Sequence, residues 1–171
     1  MVAVVLTARR LTFSLPLLVG MAGAQASGEY QSMIDAILES NQGRVLVFAP
    51  TIFDKTLANA LRQTRQDYIR KTNLRVLTVP YYNYLPDSTI LSLALSGVPV
   101  HEAQIPSKEG VVIVDGQGWI GRDLGKFEMN SIRRMNSQEI NKLLDWLKKS
   151  VKSAHFITQY EAFTRLKQVL K

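Results

Sequence analysis

The stretch "PSKEGVVIVDGQG", Pro106 to Gly118, decides how the rest of the chain is read. A polar turn leads into the consecutive apolar residues Val111, Val112, Ile113 and Val114, and these end in Asp115-Gly116. A short β-branched run between turn residues fits a strand buried on both faces. Asp-Gly after it marks a turn. Just upstream, "VPVHEAQI" (98–105) reads as another strand. The short link around Pro106, Ser107 and Lys108 predicts that these two strands lie side by side, antiparallel. "GWIGRDL" (118–124) supplies one strand more.

Working outward, helical and strand patterns alternate. "SGEYQSMIDAILESNQG" places Met33, Ile34, Ile37 and Leu38 at helical spacing, with Gly43 as the expected stop. "RVLVFAP" and "NLRVLTVP" are apolar runs ending in proline, as buried strands do. Between them "TIFDKTLANALRQTRQDYIRK" predicts a helix with Leu57, Leu61 and Tyr68 on one face. "DSTILSLALSG" reads as a short helix with an Asp or Ser cap. The order implies an α/β domain: a mixed, mostly parallel sheet with helices on both faces, followed by C-terminal helices. The ligand edge of such a sheet lies beyond the carboxyl ends of its strands. "APTIF" (49–53) and "PYYNYLPD" (80–87) gather there.

Two amphipathic helices close the chain. "NSQEINKLLDWLKKSVK" opens with Asn136 three residues before Glu139, the spacing of a capping box. Ile140, Leu143, Leu144, Leu147 and Val151 form its apolar stripe, and Lys142, Lys149 and Lys152 lie on another face. "TQYEAFTRLKQVLK" repeats the cap with Thr158 and Glu161, and its stripe is Phe163, Leu166 and Leu170.

Composition bounds the function. The 171 residues suit one domain with its own core. There is no cysteine, which excludes a disulfide scaffold, a thiol nucleophile and a thiolate metal site. His101 and His155 are far apart in sequence, so no metal signature is present, and no cofactor motif is found. Gly118, Gly121 and Gly125 match no phosphate loop opening a helix. Ser150-Val151-Lys152-Ser153 lacks the partner motifs of a Ser-Lys enzyme.

Residues 1–26 have the layout of a secretory leader: Arg9 and Arg10, the apolar "LTFSLPLLVGMAGA", then the small-x-small site Ala24-Gln25-Ala26. The apolar run is short for a membrane span, which needs about 20 residues. The expectation is export to the periplasm or medium, with a mature chain from Ser27 and no integral membrane span. That chain divides into a body, 27–125, and a basic extension of the same domain, 126–171. The body carries 9 Lys+Arg against 10 Asp+Glu, while the extension carries 10 against 4. The imbalance points to an anionic partner, nucleic acid or anionic phospholipid.

The order of these pieces over residues 29–125 resembles one half of the phospholipase D superfamily, as in small bacterial endonucleases of that kind. The family motif is His-x-Lys, four residues, then Asp. Aligned on Asp115-Gly116, the apolar residues 111–114 fall in place, Lys108 takes the His slot and Gly110 the Lys slot. Arg122 and Asp123 occupy the neighbourhood where relatives place a Gly-Ser step. The resemblance implies a histidine that attacks phosphorus, a second that protonates the leaving oxygen, and lysines that hold the phosphoryl oxygens. A protonated Lys108 is a poor nucleophile, and Gly110 has no side chain to neutralise an oxyanion.

Three functions follow. The first is a non-catalytic exported module that binds a phosphodiester-containing polyanion. Lys108 and Arg122 would grip phosphate, Tyr81, Tyr82 and Tyr84 would stack on bases or sugars, and Lys142, Lys149 and Lys152 would supply charge. The second is an active phosphodiesterase or nuclease, as a homodimer, with a displaced site built from His101, Lys108, Asp115, Arg122 and Asp123. It requires the strand of His101 to pair with that of Asp115. The third is an envelope protein whose basic helices bind a protein partner.

Overall fold

A computed structural model describes residues 21–105, 107–127 and 131–169, with side chains from Gly28 onward. Of the expected leader, residues 1–20 lie outside the described residues, and the cleavage site falls within the backbone of the first helix. Among the described residues no helix is long and apolar enough to cross a membrane.

The elements in chain order are α1 (Met21–Glu39), β1 (Arg44–Phe48), α2 (Lys55–Gln66), β2 (Asn73–Thr78), a 3-10 turn (Pro80–Tyr84), α3 (Ile90–Leu95), β3 (Val100–Glu102), β4 (Gly110–Val114), β5 (Gln117–Gly121), β6 (Arg133–Arg134), α4 (Ser137–Lys152), β7 (His155–Phe156) and α5 (Gln159–Val169). One seven-stranded sheet runs in the order β6-β5-β4-β1-β2-β3-β7. β1, β2 and β3 are parallel, and the remaining pairings are antiparallel. The α/β class and the mixed sheet agree with the pattern of the sequence.

Strand β4 corrects one expectation. It does not pair with β3. It lies between β1 and β5, with Val45 opposite Val114 and Phe48 opposite Val111. The reason is burial: all five residues of β4 are buried, so it needs a strand on each side and helices on both faces. The link 103–109 therefore crosses the sheet past β2 and β1. Three strand spacings are about 14 Å. Seven residues reach up to roughly 23 Å when extended, so the link is long enough. Because β3 ends and β4 begins at the carboxyl edge of the parallel strands, the crossing runs along that edge and delivers Lys108 to it.

Alternation divides the core in two. Val45, Val47, Leu74, Val76, Val100, Val112 and Val114 face one side, where Met33 and Ile37 of α1, Leu57 and Leu61 of α2, Leu93 of α3 and Ala162 of α5 pack on them. Phe48, Leu77, Val111 and Ile113 face the other side, where among the described residues α4 is the one helix that packs on them, through Ile140 and Leu147, beside Val79, Ile105 and Met135. Four helices thus share one face and one helix serves the opposite face.

Several local readings shift. Helix α2 ends at Gln66, so Tyr68 lies beyond it and is 86% exposed, whereas Leu57 and Leu61 are fully buried. α2 starts at Asp54, whose carboxylate accepts from the Leu57 amide. Gly43 is not a helix stop. A Cβ there would lie 1.9 Å from the Asp115 carboxylate, so that contact is what requires glycine. The α3 cap is Thr89, without a side-chain cap bond. The capping box of α4 forms in full, Asn136 Oδ1 accepting from the Glu139 amide at 3.0 Å and Glu139 Oε2 accepting from the Asn136 amide at 2.9 Å. On α5, Thr158 does accept from the Glu161 amide. The buried residue of α5 is Ala162, however, and Phe163 is exposed beneath Lys167. Leu170 lies outside the described residues.

Candidate functional site

The carboxyl edge is built by four segments. After β1 comes "APTIF", after β2 the 3-10 turn, before β4 the turn at Ser107–Glu109, and after β5 the loop 122–127. The ladder between β4 and β5 ends with Gly110 opposite Gly121. Glu109 and Arg122 are the next residue on each chain beyond that end. Lys108, Glu109, Arg122 and Lys126 line one cavity of about 410 Å³. This brings together three cations at the place where the resemblance puts its His and Lys slots.

The supports of this cavity are backbone contacts that need small residues. Gly125, at φ +91°, accepts from the Phe53 amide at 2.6 Å and the Asp54 amide at 3.1 Å. A Cβ on Gly125 would lie 2.5 Å from the Thr51 carbonyl oxygen. The β5 loop is thereby stapled to the loop after β1, and Phe127 stacks on Phe53 with centroids 5.1 Å apart. Gly110 lies against Leu124, and a Cβ there would come within 2.9 Å of both its Cβ and its carbonyl oxygen. The slot that carries lysine in the motif is closed by this leucine.

Charge at the cavity is partly balanced. Lys126 Nζ donates to Asp123 at 3.1 Å. That bond, with a further one involving Ser131, holds the Asp123 carboxyl below its usual range. Glu109 lies within the field of Arg133, which is itself fixed on Glu139 at 2.8 Å. Lys108 and Arg122 make no carboxylate ion pair among the described residues.

The two remaining members of the displaced-site hypothesis are elsewhere. Asp115 sits beyond the far end of β4, roughly 16 Å from Gly110 at about 3.3 Å per residue. It occupies the turn with φ +48°, accepts from the Ser40 hydroxyl at 2.9 Å and accepts from the Arg44 amide at 2.6 Å. Its work is to tie α1 and β1 to the Asp-Gly turn. His101 pairs across from Leu77 and Phe156, not from any residue of β4. It points to the α4 side of the sheet, where burial, then the Arg75 charge, push its pKa below the ordinary value against a bond to the Val76 backbone. His155 lies on the edge strand β7, bound to Glu161 at 2.9 Å. Among the described residues no group of three metal-ligating side chains occurs.

The tyrosine segment lies on the same edge as the cavity, two strand spacings or about 10 Å away. Asn83 anchors it, buried, donating to Glu102 at 2.5 Å and accepting from Thr78 at 3.1 Å. Tyr81 and Tyr82 are left exposed and meet edge to face at 5.4 Å. Arg165 bonds Glu102 at 2.7 Å and lies over the Tyr84 ring. Asn83, Glu102 and Arg165 are three residues that sequence reasoning missed, as are Phe53, Lys126 and Phe127. A glutamate on a strand otherwise facing the core was the one available signal. Lys142, Lys149 and Lys152 of α4 are all exposed, and Lys152 also lines a groove against the sheet.

This fold has counterparts among solved structures. The phospholipase D family member Nuc from Salmonella typhimurium superposes with a TM-score of 0.61 at 15% identity, over 75% of this chain and 90% of that one. NucT from Helicobacter pylori gives 0.60 at 14% identity, over 78% and 93%. No family model and no curated protein matches the sequence. The fold is that of the phospholipase D superfamily.

Proposed function

We propose that this chain is an exported phosphodiester-binding protein that uses the phospholipase D fold without the hydrolytic step. One observation carries the reading: Lys108, Arg122 and Lys126 surround a single cavity at the carboxyl edge, while both histidines of the chain lie away from it. Among the described residues Lys108 and Arg122 make no ion pair and Lys126 is shared with Asp123, so the three cations outweigh the Glu109 carboxylate in the same cavity and suit a phosphodiester, whose oxygens accept charge-assisted bonds. A covalent phospho-enzyme needs a nucleophile, and a protonated lysine or arginine is not one. Leu124 behind Gly110 leaves no room for the missing lysine.

The exposed Tyr81 and Tyr82 and the Phe53–Phe127 stack flank the cavity and would hold bases or sugars of a single strand. Lys142 and Lys149 add to the attraction at longer range. Export rests on the leader layout of residues 1–26. A homodimer would place two such clefts on one strand.

The test is fluorescence anisotropy with a labelled single-stranded oligonucleotide at two salt concentrations, beside a hydrolysis assay on an aryl phosphodiester. Binding should weaken with salt by a slope of about −0.7 per phosphate contact on a single strand. Lys108→Gln with Arg122→Gln should flatten the slope by roughly one to two contacts' worth, and Lys142→Gln with Lys149→Gln by less. No turnover is expected. Absence of binding at low salt refutes the proposal. Turnover above background would overturn the non-catalytic reading.

A further inference from the structure

The face of the sheet served by α4 alone leaves a groove. It runs between that helix and β1, β2 and β3, with a volume of about 470 Å³. Its floor is aliphatic: Leu46 and Leu77 from the strands, Leu144, Leu147 and Val151 from the helix. Leu46, Leu144 and Val151 are only half-buried, so apolar surface stays in contact with water. A second recess of about 390 Å³ shares Arg44, Asn73 and Leu144 with it and opens the groove toward Gly116.

Arg44, Arg75, Lys148 and Lys152 line the groove with no carboxylate among its lining residues. Asp115 lines the adjoining recess, where its carboxylate accepts from the Ser40 hydroxyl and the Arg44 amide. Arg44, Arg75 and Lys152 form no ion pair among the described residues. Lys148 makes only a solvent-exposed contact to Asp145 at 3.5 Å. His101 closes one end beside Phe156, ring centroids 5.3 Å apart. Four cations around low-dielectric walls focus a positive potential into the groove. An apolar floor with a few convergent polar groups is the make-up of a small-molecule site.

We propose that this groove binds a single-chain anionic amphiphile: an alkyl chain along the aliphatic floor, and a carboxylate or phosphate head held by Arg75 and Lys152. Charge complementarity selects an anion, and the guanidinium of Arg75 offers a two-pronged partner to either head group. The floor selects the chain. A nucleic-acid strand needs aromatic platforms, and the floor supplies none. The site is on the opposite side of the sheet from any face the four-helix layer covers, and it does not depend on the phosphodiester reading of the carboxyl edge.

The experiment is isothermal titration of the full chain with dodecanoate and with dodecyl phosphate, each below its micelle concentration. One-to-one binding of at least one of them is expected. Acetate and dodecyltrimethylammonium should give no saturable binding over the same range. Arg75→Gln and Lys152→Gln, both at exposed positions, should each weaken affinity roughly tenfold, the effect of losing one charged hydrogen bond. Val151→Trp should fill the groove and abolish binding while far-ultraviolet circular dichroism is kept. Failure of both anions to bind overturns the proposal. So does equal binding of the cationic amphiphile, or wild-type affinity in the Arg75→Gln, Lys152→Gln double variant. A wild-type dimer in sedimentation that Val151→Trp dissociates, with no amphiphile bound, would assign the groove to a second copy of the chain and likewise overturn it.

Discussion

Arg165→Met tests the network that holds the tyrosine segment. Arg165 Nη1 donates to Glu102 at 2.7 Å, with side chains only 17% and 3% exposed. Its other terminal nitrogen bonds Glu161, which also takes His155. Methionine keeps most of the stem's packing and removes the charge. The Glu102 carboxylate would then be buried with Asn83 as its remaining donor. Breaking a buried pair from one side costs about 3–5 kcal/mol, because an uncompensated charge is left inside. The low end, about 3 kcal/mol, is expected here, since Asn83 still donates and water can enter from the exposed Tyr84 side. For a chain of this size that lowers the melting temperature by roughly 6–12 °C. Urea unfolding of Arg165→Met, Glu102→Gln and the double variant gives the coupling directly. The double variant should be less damaged than the two single losses add up to, by at least about 1.5 kcal/mol. Coupling below about 0.5 kcal/mol would show that the pair acts as a surface contact and refute the argument.

Three further outcomes are expected. Asp115→Ala should lose about 1–2 kcal/mol of stability by urea unfolding, because Ser40 and the Arg44 amide lose their acceptor, yet leave oligonucleotide affinity unchanged. An affinity loss would return Asp115 to the site. Gly110→Lys should destabilise by roughly 1–3 kcal/mol through overpacking on Leu124, without creating hydrolysis. Unchanged stability would show that the slot is open. The Tyr30 phenol, driven up to about 12 by burial and then by the Asp54 charge, should be a late tyrosine in a phenolate absorbance titration. Its protonated form is the one favoured on folding, so this stabilisation is present below pH 10 and is lost as pH rises from 10 through about 12. Tyr30→Phe should remove that late transition.

The sequence determined whatever rests on near neighbours. Alternating helices and apolar runs set the α/β class, because burial period is a local property. The Asn136–Glu139 box formed as read, since both partners lie within one helical turn. The basic C-terminal third was legible from the sequence alone. Only the tertiary structure decided which strands meet. A short link between "VPVHEAQI" and "GVVIV" suggested adjacency, but a strand buried along its whole length belongs in the middle of the sheet, so β4 went beside β1 and β5. That choice separated His101 and Asp115 from Lys108 and Arg122 and dissolved the displaced site. It also gathered Lys126, Phe53 and Phe127 at the cleft and left α4 alone on one face, with a basic groove beneath it. Such pairings are set by burying the most apolar surface across segments remote in sequence, and local periodicity carries no record of which segment lies alongside.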